Sequence, residues 1–147
     1  QAIDSLNTLE LPVTVSYDFT FKTPSEDILY FNPMLTEITK ENPFKSATRR
    51  YPVEMPFRMD ETYLFKMDIP AGYVIDELPK PVRVRLNDNE DSYFEYVLDG
   101  SADGISLRSR IKIDRTTYSS EEYEILREFF NIIVKKQAEQ IVFKKKK

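Results

Sequence analysis

The sequence predicts a mainly β protein, an antiparallel β-sandwich of about seven strands with one C-terminal α-helix. Three observations carry this expectation. Apolar and polar residues alternate in several separate runs, the period of strands with one buried face. Short turn-forming clusters join the later runs, and the central sequence offers no crossover helix, so neighbouring strands are expected to be antiparallel. Only the C-terminal part changes to helical spacing.

The clearest run comes first. Leu11, Val13, Val15, Tyr17, Phe19 and Phe21 hold the odd positions and Thr14, Ser16, Asp18 and Thr20 the even ones, which predicts a strand burying one face. Ile28-Leu29-Tyr30-Phe31 is a second, ended by Asn32-Pro33, because proline cannot donate to a ladder. From Met34 to Pro56 no period holds. The apolar anchors there, without Gly or Ser enrichment, point to an ordered excursion rather than a linker. Alternation resumes at Tyr63, Phe65, Met67 and Ile69, and Pro70-Ala71-Gly72-Tyr73 turns the chain into Val74 to Leu78. Val82, Val84 and Leu86 predict the next strand, and Phe94, Tyr96 and Leu98 the one after it, joined by the polar tip from Asn87 to Asp91. Asp99-Gly100 and Asp103-Gly104 bracket a tight connection to Ile105, Leu107, Ile111 and Ile113, which alternate with Ser106, Arg108, Arg110 and Lys112.

Ser119 with Glu122 three residues on forms a capping box, and Tyr123, Leu126, Phe130 and Ile133 then recur at helical spacing. A helix over about residues 120 to 136 would be about 25 Å long, enough to cover one sheet face or edge. Such a stripe reads as core before it reads as a ligand box. Ile141-Val142-Phe143 is either a short final strand or the last anchor of the helix.

Size and composition fit one domain over residues 1 to 147. At 17.3 kDa a folded chain buries about 69% of the surface it exposes when unfolded, enough for a core without disulfide or metal staples. Ten Phe and nine Tyr, with no Trp and three Gly, make that core aromatic. There is no internal repeat and no apolar run near the roughly 18 residues of a membrane span. Starting at Gln1 without Met, the sequence reads as a piece of a longer protein.

Chemistry is bounded by two absences. The sequence holds no cysteine and no histidine, which excludes thiolate nucleophiles, thiolate or imidazole zinc ligands, and imidazole acid–base catalysis within it. No cofactor is expected, and the chain is read as non-enzymatic. The net charge of −4 argues against nucleic acid as a partner, since phosphate neutralisation needs a basic face. Residues 60 to 104 carry eleven acids against four bases, and residues 105 to 147 carry six against eleven, so the two segments are expected to neighbour and neutralise each other, with a basic docking face on the C-terminal element as the rival reading. The Lys144 to Lys147 run reads as a solvated end with weak attraction for an anionic membrane as the rival.

Sharper sites fare poorly on the residues. Asn87, Asn89 and Asp91 open like a calcium loop, but Ser92 stands at the turn glycine and Leu98 at the bidentate glutamate, so a hairpin tip is expected. Glu61 with Glu77, or Asp91 with Glu95, would suit glycoside hydrolysis only if held about 5 to 9.5 Å apart, and nothing in the sequence fixes that separation. Tyr51, Tyr63, Tyr73, Tyr93 and Tyr96 offer flat faces to a glycan, yet alternation turns several inward. The proline–aromatic stretch from Asn42 to Val53 suits either a loop tucked over an open end of the sandwich or a docking loop for a neighbouring domain.

The order of several short runs carries a family resemblance. Asn42-Pro43-Phe44-Lys45, Arg50-Tyr51-Pro52-Val53, Ile69-Pro70-Ala71-Gly72-Tyr73, Leu78-Pro79, Tyr123-x-x-Leu126-Arg127-x-Phe129-Phe130 and Glu139-Gln140-Ile141-Val142 resemble a C-terminal domain of unknown function. Members of that family follow a transglutaminase-like, papain-fold domain in large bacterial envelope proteins. The resemblance covers roughly residues 11 to 147. It implies a non-catalytic accessory domain that packs on or orients the upstream domain of the same chain, in an exported, periplasmic or cell-envelope protein. Asn42, Phe44, Arg50 and Tyr51 are then the expected interdomain contacts. A carbohydrate- or peptide-binding module using surface aromatics is the alternative.

Overall fold

Alternation along residues 104 to 113 builds the strand on which the structure is centred. The computed structural model describes residues 1–22, 24–88, 91–101 and 104–147. In chain order its strands are β1 (Ala2–Asp4), β2 (Thr14–Ser16), β3 (Ile28–Phe31), β4 (Val53–Glu54), β5 (Met59–Met67), β6 (Tyr73–Glu77), β7 (Val82–Arg85), β8 (Tyr93–Ser101), β9 (Gly104–Ile113), β10 (Thr117–Tyr118) and β11 (Ile141–Lys145), with helix α1 (Tyr123–Gln137) before the last. The fold is mainly β, with several antiparallel sheets and one C-terminal helix.

Two sheets dominate. One has the order β5-β9-β8-β7 and the other β3-β11-β6, while β1-β2 and β10-β4 are two-stranded. The two large sheets hold seven strands, the number expected, but not the seven expected. The run from Leu11 to Phe21 contributes only Thr14–Ser16, paired with Ala2–Asp4, and Ile141–Lys145 is instead the centre of the three-stranded sheet. The reason is partnership: β11 finds β3 and β6 on its two sides, whereas β2 has a single three-residue neighbour and every residue of that pair is exposed.

Register places the core. Across the four-stranded sheet Phe65, Leu107 and Leu98 stand in one row, Tyr63, Ser109 and Tyr96 in the next, and Ile111 beside Phe94 in a third. All but Tyr63 are buried, so this is the inner face. Helix α1 and the three-stranded sheet share it. The helix brings Lys136 over the Tyr96 ring and Gln137 to Ser109, and the smaller sheet brings Phe31 to Phe65 at 5.9 Å. At the far end a Cβ on Gly100 would lie 2.7 Å from the Ile75 side chain, so the absence of a side chain there admits β6. Asp99-Gly100, expected at a turn, therefore lies within the ladder, opposite Ser106 and Ile105. Ala102 and Asp103, in the same expected turn, fall outside the described residues.

The helix forms as its spacing predicts, with Tyr123, Leu126, Phe129, Phe130 and Ile133 buried. The capping box is present one turn earlier. Glu122 Oε2 accepts from the Ser119 amide (2.8 Å) and Ser119 Oγ accepts from the Glu122 amide (3.3 Å). Arg115 joins it through two bonds to Glu122, of 2.7 and 2.8 Å, and lies over the Tyr118 ring at 4.7 Å. The excursion from Met34 to Pro56 is ordered against this framework: Met34 is buried, and the Met55 amide and β4 bond to the segment that leads into the helix.

Two predictions follow from this packing. Phe130 is buried against Phe129 and Phe44, so Phe130→Ala should cost about 3 to 5 kcal/mol, read as a lowered thermal midpoint; an unchanged midpoint would contradict the core placement. The Arg115 guanidinium, followed by the Ser119 amide, holds the Glu122 carboxyl down at about 2 from its ordinary 4.5. A depressed folded-state value gives stability that is present above about pH 4.5 and lost as pH falls toward about 2. Glu122→Gln should accordingly flatten the acid limb of the stability–pH curve in that window and leave its alkaline side unchanged.

Candidate functional site

The four residues expected at an interdomain contact do not form one surface. Asn42 turns inward. Its side-chain amide donates to the Arg127 carbonyl (2.8 Å) and to Asn131 Oδ1 (2.7 Å), and its Oδ1 accepts from the Phe44 amide (2.8 Å). Phe44 then packs edge-on against Phe130 and Tyr123, at 5.2 and 6.0 Å. These two residues fasten the excursion to α1, aided by the Tyr123 hydroxyl, which donates to the Ser46 carbonyl. Arg50 and Tyr51 lie beyond that clasp and are exposed, Tyr51 to 78%. Thus half of the motif holds the fold together and half faces solvent. Asn42→Ala should lower stability by about 1 kcal/mol or more, because it removes three hydrogen bonds in a partly buried setting, whereas Tyr51→Ala should change it by less than about 0.5 kcal/mol; chemical denaturation of both variants checks the contrast.

The aromatic and acidic candidates divide similarly. Tyr96 and Tyr73 are buried, and the Tyr73 hydroxyl donates to the Pro24 and Glu26 carbonyls. Tyr63 donates to the Pro33 carbonyl, and burial pushes its phenol up to about 12. Of the five, Tyr51 is exposed and Tyr63 and Tyr93 are half-buried. Glu61 and Glu77 stand on strands of different sheets. Asp91 accepts from Asn87 Nδ2 (2.8 Å), while Glu95 pairs with Arg108 and Arg83. Asn89, the middle residue of the calcium-like spacing, lies outside the described residues. Among the described residues no group of three or more acidic side chains is close enough to hold a metal ion, and no helix is long and apolar enough to cross a membrane.

Two exposed surfaces stand out instead. The first is the N-terminal stretch. Leu11, Val13, Val15, Tyr17, Phe19 and Phe21, expected to bury one face, are each between 41% and 55% exposed. Its aromatic end leans on the core: Phe19 stacks on Phe65 at 6.3 Å, Phe21 on Phe31 at 5.4 Å, and Tyr17 lies against Phe19 at 6.3 Å. An alternating run that meets the core through its aromatic end leaves the rest as a stripe of apolar surface.

The second is the outer face of the four-stranded sheet. Period two places Asp60, Thr62, Leu64 and Lys66 of β5 there, with Arg108, Arg110 and Lys112 of β9, Tyr93, Glu95 and Val97 of β8, and Arg83 and Arg85 of β7. Arg110 forks onto Asp60 at 2.8 and 2.9 Å, which holds the Asp60 carboxyl below its ordinary value. Arg83 and Arg110 both lie over the Tyr93 ring, at 4.7 and 5.7 Å. The pairs Arg108–Glu95 and Arg110–Asp60 join the basic C-terminal half to the acidic middle of the chain, as the charge distribution predicts. The sequence signal for this face is Arg108, Arg110 and Lys112 at alternate positions of a run that also holds Leu107, Ile111 and Ile113.

Fold and surfaces together define a mainly β domain with a helix buried along one face and two open surfaces. The chain belongs to the family described as a domain of unknown function with a solved structure, DUF3858, whose pattern matches residues 27–143. A solved structure from Parabacteroides distasonis, titled a "putative protease", shares the fold, with a TM-score of 0.57 at 11% identity over 67% of this chain. This chain corresponds to 19% of that one. No curated protein matches.

Proposed function

We propose that the chain is a non-catalytic accessory domain that packs on, or orients, a transglutaminase-like domain preceding it in an exported bacterial protein. The observation that carries this reading is the N-terminal stripe. The family-matched region, residues 27–143, holds the whole of the buried apolar core, while the residues before it carry six alternating apolar side chains that stay half open. A monomeric domain gains nothing from such a stripe, and a neighbouring domain of the same polypeptide is a fitting cover, because interfaces within a chain typically bury about 600 to 1,500 Å². Kinship in fold with one fifth of a longer protein supports a modular role of this kind.

The test joins the two domains. Residues 1 to 147 linked to the upstream domain should raise the melting temperature of that domain, and Val13→Asp with Val15→Asp should abolish the gain while leaving the thermal midpoint of the isolated 147 residues within about a degree. Phe44→Ala is unsuitable as a probe here, since it loosens α1. Independent melting of the two domains, with or without the substitutions, would refute the reading.

A further inference from the structure

We infer that the outer face of the three-stranded sheet is a docking surface for a membrane with anionic headgroups, Ile28, Tyr30 and Val74 meeting the lipid and Lys144 and Lys146 its phosphates. This goes beyond the accessory role, which concerns the N-terminal stripe, and neither depends on the other.

The C-terminal lysine run is built into this sheet rather than trailing from it. The Lys145 amide donates to the Asp27 carbonyl (2.9 Å) and the Lys146 amide to the Gly72 carbonyl (2.8 Å). Held on both sides, the backbone sends Lys144 and Lys146 to the outer face by the period of two, while Ile141 and Phe143 are buried on the inner one. Register sets Lys144 between Ile28 and Val74 in one cross-strand row, and Val142 beside Tyr30 in the next. The apolar groups of these rows are open, Tyr30 to 65%, Ile28 to 43% and Val74 to 42%. Apolar side chains and lysines thus share one face.

Charge selects the occupant. Among the described residues none of Lys144 to Lys147 is in an ion pair. The carboxylates at this end of the sheet are those of Glu26 and Asp27, two against four ammonium groups, whereas Asp76 and Glu77 stand toward the other end of β6. A chain of net charge −4 therefore has one sheet end with surplus positive charge, which draws it lysines first toward an anionic surface.

Residue type selects lipid over protein. Lysine is depleted from protein–protein interfaces, but at a bilayer its alkyl stem lies along the apolar boundary while the ammonium stays among the headgroups. Tyrosine is enriched at the same depth. Peripheral binding of this kind adds buried apolar area to electrostatic attraction, and the rows of Lys144 and Val142 supply both.

The experiment sediments the 147-residue chain with phosphatidylcholine vesicles with and without phosphatidylglycerol. The chain should bind the anionic vesicles, bind neutral ones far less, and be released as salt rises. Lys144→Ser with Lys146→Ser should weaken binding about tenfold or more, while Lys66→Ser with Lys112→Ser, an equal loss of charge on the other sheet, should change it little. The chain has no tryptophan, so Tyr30→Trp supplies a single fluorophore, whose emission should shift to the blue on anionic vesicles and stay unmoved with soluble polyglutamate. Thermal melting verifies that each variant is folded; should the Lys144 and Lys146 pair melt early, Tyr30→Thr with Val74→Thr tests the same face without altering β11. The inference is overturned by no binding to anionic vesicles, by equal binding to neutral ones, by an unmoved emission at position 30, by equal loss in the Lys66 and Lys112 pair, or by polyglutamate binding as tightly as the vesicles.

Discussion

Everything in this molecule hangs on the seating of one helix against one sheet face, and a buried glutamine fixes the seat. Gln137, the last residue of α1, is 2% exposed. Its side-chain oxygen accepts from the Thr39 amide (2.8 Å), its carbonyl accepts from the Asn32 side chain (2.9 Å), and its Nε2 reaches Ser109 Oγ at 3.5 Å. Four segments meet there: the helix end, the end of β3, the excursion and the central strand β9. Apolar burial supplies most of the attraction between helix and sheet, but it is non-directional. Buried hydrogen bonds are costly to leave unmade, so this junction selects one axial position for the helix. Ser109 is the small residue in its row, between Tyr63 and Tyr96, and that gap is what lets the amide approach the sheet.

The excursion then follows as a consequence of the helix. Asn42 and Phe44 clasp its middle, Asn32 and Thr39 its end, and β4 holds the segment that leads into it. An aperiodic stretch of more than twenty residues stays ordered through side chains bonded to the helix or packed on its aromatic rings, together with the short β4 ladder and the Met55 amide at its far end. The proline–aromatic run expected as a docking loop therefore commits Asn42 and Phe44 to the fold, while Arg50 and Tyr51 face solvent.

Much of this was legible in the residues. The helix, the β5, β8 and β9 strands and their inward faces follow from periods of 3.6 and 2, which one sequence displays directly. Strand partnership does not. Leu11 to Phe21 has better alternation than Ile141 to Lys145, yet the latter is a central strand and the former mostly unpaired, because pairing depends on which edges the rest of the fold leaves open. The clasp at Asn42 was equally hidden, since its partners lie 85 and 89 residues away. The charged sheet face was half visible: periodicity placed Arg108, Arg110 and Lys112 together, but only cross-strand register brings Arg83, Tyr93 and Glu95 beside them.

What results is a self-sufficient core with surplus surface, and the account turns on whether the N-terminal stripe is held open for a partner. Amide hydrogen exchange measures this most directly. In the isolated chain the amides of β8, β9 and α1 should exchange only through global unfolding, while those of residues 11 to 21 should exchange with little protection, as weakly paired segments do. Joined to the upstream domain, residues 11 to 21 should become strongly protected and the core amides should change little. Equal protection of residues 11 to 21 in both contexts would contradict the account.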